Sequence, residues 1–99
     1  MRLIFRDQRI ALVRTDQAAK TRLPIPVIKS AREKLNFLEA ASEERALRNW
    51  KSLRYEKLDG DRKGQRSIRI NDQWRLVFTL DESTSPPTIE VLAIEDYHK

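Results

Sequence analysis

The chain has 99 residues, a formal net charge of +5 and no cysteine. Without a thiol and with a single histidine, a disulfide framework, a Cys-based metal site and a multi-His zinc site are all excluded, and no metal or cofactor is expected. The start, Met1 to Arg6, has too short an apolar run for a secretion signal, and no stretch approaches the ~20 apolar residues of a membrane span, so a cytoplasmic protein with no membrane partner is expected.

One domain, residues 1–99, is expected from the length. Residues 2–6 read as a short strand. Residues 8–14 carry Ile10, Leu12 and Val13 and suit a short helix. Prolines 24 and 26 mark a turn that leads into a helix beginning near residue 25, since proline is tolerated in a first helical turn. Ile28, Ala31, Leu35 and Leu38 then form one apolar stripe at helical spacing. Ser42, followed by Glu43 and Glu44, is an N-cap signal with acids in the first turn. A break near residue 41 and a short helix to about Asn49 follow from it, although one kinked helix is equally compatible.

After Trp50 the period changes to two. Ser52 to Leu58 suits a strand. Asp59 to Gly64 is a charged turn holding both glycines. Residues 65–71 alternate, with Arg66, Ile68 and Ile70 on one face and Gln65, Ser67 and Arg69 on the other. Residues 74–80 alternate as well, with Trp74, Leu76, Phe78 and Leu80 opposed to Arg75, Val77 and Thr79. Residues 81–87 are a loop by composition, and Thr88 to Ile94 is the last strand. A strand, then helices, then closely spaced strands predict an α+β fold: a small antiparallel β-sheet with two or three helices packed on one face.

The register of the 65–80 hairpin is informative. With residues 71–73 as its loop, Ile70 faces Trp74 and Ile68 faces Leu76 on the helix side. Arg69 then meets Arg75 on the opposite face. Like charges directly opposite are unfavourable in a sheet, and two guanidiniums side by side suit a shared anion such as phosphate. The alternative is neutralisation by acids of the last strand, Glu90 or Asp96. Charge distribution favours phosphate. Residues 51–80 hold 8 basic and 4 acidic side chains, net +4, whereas residues 81–99 hold 1 and 5, net −4. At the end of the chain Asp96, Tyr97 and His98 follow directly on a strand. A histidine can exchange protons near neutrality, a tyrosine can stack on a base, and an aspartate can orient either an imidazole or an arginine.

Leu58 to Gln65, Ser67 to Leu76 and Glu95 to His98 together resemble the HigB toxins of the RelE-like superfamily, and the helix of residues 26–48 fits as well. The resemblance covers nearly the whole chain and is weakest over the first twenty residues. It implies a small antiparallel sheet with helices on one side, whose open basic face enters the ribosomal A site and cuts mRNA. It also implies a helix-turn-helix antitoxin of the HigA kind, with operator DNA bound only as part of the toxin–antitoxin complex. Arg75 matches the arginine placed at the scissile phosphate. Asp96, Tyr97 and His98 match the carboxy-terminal catalytic cluster. Arg69, Lys57, Lys63 and Arg66 are the expected RNA contacts. Some relatives carry His where this chain has Glu56 and Lys where it has Asp59, so proton chemistry falls on His98 as carrier, with Asp96 orienting it or acting as base. The rival readings are a basic RNA- or ribosome-binding module that does not cut, and a decayed toxin that keeps only its partner contacts.

Overall fold

A computed structural model describes residues 1–97. Strand β1 spans Arg2–Phe5 and is followed by the single-turn helix α1, Gln8–Ala11, and two 3-10 turns, Leu12–Arg14 and Ala18–Thr21. Helix α2 spans Ile25–Ala40 and α3 spans Glu44–Asn49. Four more strands follow: β2 Glu56–Lys57, β3 Arg66–Arg69, β4 Trp74–Asp81 and β5 Thr88–Asp96. The α+β class and the break after residue 40 agree with the sequence reading. Helix α2 has proline in its first turn, where a missing N–H costs nothing. Ser42 does not cap α3: the N-cap is Glu43, and no side chain bonds the first turn.

The strands form one sheet in the order β1-β5-β4-β3-β2. Strands β2 to β5 are antiparallel, as expected from their short connections. Strand β1 departs from that pattern and pairs in parallel with β5, Arg2 beside Thr88 and Phe5 beside Val91. Short turns force consecutive strands to reverse, but the whole helical half separates β1 from the others, so no turn dictates its direction. The strand expected over residues 52–58 shrinks to two residues. Leu53 is fully buried in a 3-10 turn, Lys51–Leu53, that brings the chain out of α3.

The core lies between the helices and one face of the sheet. Ala31, Leu35 and Leu38 of α2 and Leu47 of α3 are fully buried, as are Ile68, Leu76, Phe78, Ile89 and Val91 from the strands. The predicted α2 stripe is therefore the buried one. Phe78 also lies stacked beside Tyr55, ring centres 6.3 Å apart. Truncating Phe78 to alanine should lower unfolding free energy by ~3–5 kcal/mol, the usual cost for a large aromatic at a site that cannot collapse. A urea titration reads this as a lower midpoint at unchanged slope. No helix among the described residues is long and apolar enough to cross a membrane.

Candidate functional site

The hairpin β3–β4 has the register expected from its alternation. Ile68 faces Leu76, and Arg69 faces Arg75. The tip is fixed by Asn71, whose Oδ1 accepts from the N–H groups of Gln73 and Trp74, both at 2.9 Å. Residues on the other face of these strands, away from the core, form the candidate site: Glu56, Ser67, Arg69, Arg75 and Glu95.

Arg75 is its centre. The residue is only 8% exposed. Its Nε donates to Ser67 Oγ at 3.1 Å, and its Nη2 donates to Ser67 Oγ at 2.9 Å and to the Arg54 carbonyl at 2.7 Å. Both of these acceptors are neutral. Among the described residues, the carboxylate paired with it is Glu56, with Oε1 3.5 Å from Nη2. Burial pushes the Arg75 guanidinium below its ordinary pKa, opposed by Glu56 and Tyr97. Arginine stays charged through such a shift, so the result is a poorly solvated cation fixed in place. Arg54 presents its carbonyl from a left-handed backbone, φ 48°, which a β-carbon makes costly. Tyr97 completes this cluster, its half-exposed ring lying 5.4 Å from the Arg75 guanidinium carbon.

Glu56 therefore takes, beside Arg75, the place that the alternative reading gave to Glu90 or Asp96. Glu90 is paired with Arg6, the residue that follows β1, at 3.2 Å. Asp96 is the register partner of Trp74, so strand alternation sends its side chain to the face opposite Arg75. It accepts from Gln73 Nε2 at 3.0 Å. Glu95 is directly opposite Arg75, but both of its carboxylate oxygens are taken by Arg62. That forked pair ties the β2–β3 connection to β5 across two strands. Ser67 and Val77, register partners on the same face as Arg75, are fully buried. The connection itself turns through Gly60 and Gly64, both at positive φ, as the charged-turn reading required.

The other expected RNA contacts separate. Arg66 lies on the helix face, where its Nη1 bonds Glu44 Oε2 at 2.7 Å and Tyr55 Oη at 2.8 Å. Lys57 is its register partner and sits 3.9 Å from the same carboxylate. Alternation explains this: Ser67 and Arg69 share a face, and Arg66 must take the other. Lys63 is exposed on the turn, beside a cleft of about 240 Å³ that Lys57 and Arg66 also line. His98 lies outside the described residues. The structure thus brings Arg69, Arg75 and Tyr97 together, adds Glu56, Ser67 and the Arg54 carbonyl, and sets Arg66, Lys57 and Asp96 apart. Ser67 was legible as a small polar residue alternating with Arg69. Nothing in the sequence marks Arg54.

The Glu44–Tyr55–Arg66 group braces α3 to the sheet. Burial, then the hydrogen bond to Glu44, raises the Tyr55 hydroxyl from 10 to about 12. Its neutral form is favoured in the folded state, so its contribution is complete below pH 10 and disappears as pH rises towards about 12. Tyr55→Phe should flatten that part of the alkaline stability curve, measured by urea midpoints between pH 9 and 12. An unchanged curve would mean that Tyr55 has no role in it.

A five-stranded sheet with helices on one face is a fold shared with solved toxin structures. The match extends over 100% of this chain and 98% of the matched chain in the YoeB–YefM complex from Staphylococcus aureus, with a TM-score of 0.60 at 23% identity. The YoeB/ParE toxin from Agrobacterium tumefaciens matches over 99% and 100% of the two chains, with a TM-score of 0.56 at 19% identity. Sequence narrows the class further. Residues 3–90 match the family described as the RelE-like toxin of type II toxin–antitoxin system HigB, and Toxin HigB-1 of Vibrio cholerae is 36% identical over 78 residues, 79% of this chain and 82% of that protein. The chain belongs to the HigB-like toxin family.

Proposed function

We propose that this toxin is a metal-independent endoribonuclease that cuts translated mRNA in the ribosomal A site, in the cytoplasm, and that a cognate HigA-like antitoxin with a helix-turn-helix domain neutralises it. Operator DNA would be bound only by the toxin–antitoxin complex. The observation that carries the reading is the Arg75 guanidinium, buried against neutral acceptors on the sheet face, with Glu56 and Tyr97 at its edge. A cation so poorly solvated attracts a phosphate strongly and needs no reorganisation as charge grows on it.

In this mechanism the 2′-hydroxyl attacks the adjacent phosphorus and the P–O5′ bond breaks. The products are a 2′,3′-cyclic phosphate and a 5′-hydroxyl. Glu56 is the base that accepts the 2′-hydroxyl proton. It is on the face of Arg75, half-exposed, and is also within 3.3 Å of Ser67 Oγ. Asp96, on the other face, is the poorer candidate for that role. His98 is assigned the proton delivered to O5′, and Tyr97 stacks on the base. Arg75 and Arg69 stabilise the phosphate oxygens. Arg66 and Lys57 are assigned to the brace with Glu44, and Lys63 to the outer RNA backbone.

The deciding experiment is primer extension on mRNA recovered after toxin induction without antitoxin, together with growth. Discrete cuts within translated codons and growth arrest, both abolished by His98→Gln or Arg75→Ala, are expected. Arrest without any cut would favour a binding module that occupies the ribosome.

A further inference from the structure

A second basic cleft, of about 190 Å³, opens between α2, the 3-10 turn after α3 and the tip of the β3–β4 hairpin. Its lining is Lys34, Ser52, Arg69, Ile70 and Asn71. Lys34 is 9% exposed, unusual for a lysine. Its ammonium lies 5.2 Å from the centre of the Trp50 ring. It donates to Ser30 Oγ at 3.1 Å and to Glu33 Oε1 at 2.8 Å. Ser30 is itself tied to the Ile70 carbonyl, at 2.5 Å. These contacts hold the charge at the cleft wall.

A packing role alone would be served by an apolar side chain. Glu33, the carboxylate partner, is 65% exposed, and such a partner compensates little for a buried charge. The remaining lining offers donors. Asn71 has its Oδ1 occupied by two backbone N–H groups, so what it can offer a ligand is its donor NH₂. Ser52 adds a hydroxyl and Arg69 a guanidinium. Among the described residues the lining itself includes no carboxylate, and Glu33 reaches Lys34 from beside it. Asp72 pairs with Arg69 from the hairpin tip, but its side chain is 92% exposed, so a phosphate displaces it at small cost. Arg69 also faces Arg75 across the hairpin, which makes it a wall shared by both sites.

We infer that this cleft holds a second backbone phosphate of the same RNA strand, the neighbour of the scissile one, with Arg69 between the two. The inference rests on the reading of the chain as an RNA-cutting toxin. Two fixed phosphates set the position of the strand along the face and so place one 2′-hydroxyl at Glu56.

The test measures binding to ribosomes programmed with mRNA whose A-site 2′-hydroxyls are methylated, so that nothing is cut. Lys34→Met keeps the hydrocarbon stem against Trp50 and removes the charge. It should bind about tenfold more weakly, as expected for one charged hydrogen bond. Its log–log salt slope should flatten by about 0.7, the value for one phosphate contact on a single strand. Replacing the linkage next to the scissile one by methylphosphonate should weaken the wild-type protein equally and leave Lys34→Met unaffected. Ser52→Ala, on the same lining, should weaken binding at an unchanged slope, because a neutral hydroxyl releases no counterion, and it guards against misfolding of the lysine variant. Unchanged affinity and slope in both variants would overturn the inference. So would a Lys34→Met loss that persists on the methylphosphonate mRNA, because the phosphate would then be ribosomal. If the wild-type protein binds programmed ribosomes but leaves unmodified mRNA uncut, the nuclease reading fails, and the same binding comparisons still decide the cleft.

Discussion

Arg75→Ala should lower single-turnover cleavage of ribosome-bound mRNA by ~10²–10³-fold, the usual loss when one preorganised electrostatic group is removed from a site that stabilises growing charge. The reason lies in how the side chain is held. Ser67 and the Arg54 carbonyl fix two of its nitrogens, and that carbonyl comes from a residue in left-handed backbone. Arg75→Lys should recover only a small part of the rate. An ammonium cannot span both acceptors and still offer a flat fork to phosphate. Since the residue is buried, each variant needs a urea midpoint beside its rate. Cleavage at the wild-type rate in a folded Arg75→Ala protein would remove Arg75 from the mechanism.

Glu56→Gln should cost ~10²–10⁴-fold in rate, the range for a positioned general base, with little change in ribosome binding. The alternative is that Glu56 only neutralises Arg75. These outcomes separate cleanly. A neutraliser, once removed, leaves a stronger cation, so RNA binding would tighten and cleavage would hold. A base, once removed, costs rate. Glu56→His offers a second comparison, because imidazole can take the same proton. It should restore part of what glutamine loses.

Much of the site was legible in the sequence because a strand has a period of two. Once the three-residue loop was placed, Arg69 had to face Arg75, and it does. The same alternation, applied strictly, already put Arg66 with Ile68 under the helices; its inclusion among the RNA contacts followed charge rather than geometry. Asp96 shows the same lesson at the end of β5, where adjacency to Tyr97 in sequence places the two on opposite faces. Glu56 was noticed only as a departure from relatives. Its value depends on a two-residue strand that pairs it with Ser67, and such a strand is too short to announce itself by pattern.

The sequence by itself determined the α+β class, the buried stripe of α2, the hairpin register and the opposed arginines, because each follows from local periodicity and turn length. Tertiary structure alone decided the parallel pairing of β1, the reach of Arg62 across the sheet to Glu95, and the carbonyl of Arg54 behind Arg75. Each of these joins residues at least 21 positions apart through contacts that no local pattern encodes; they form only when separate elements are packed against one another.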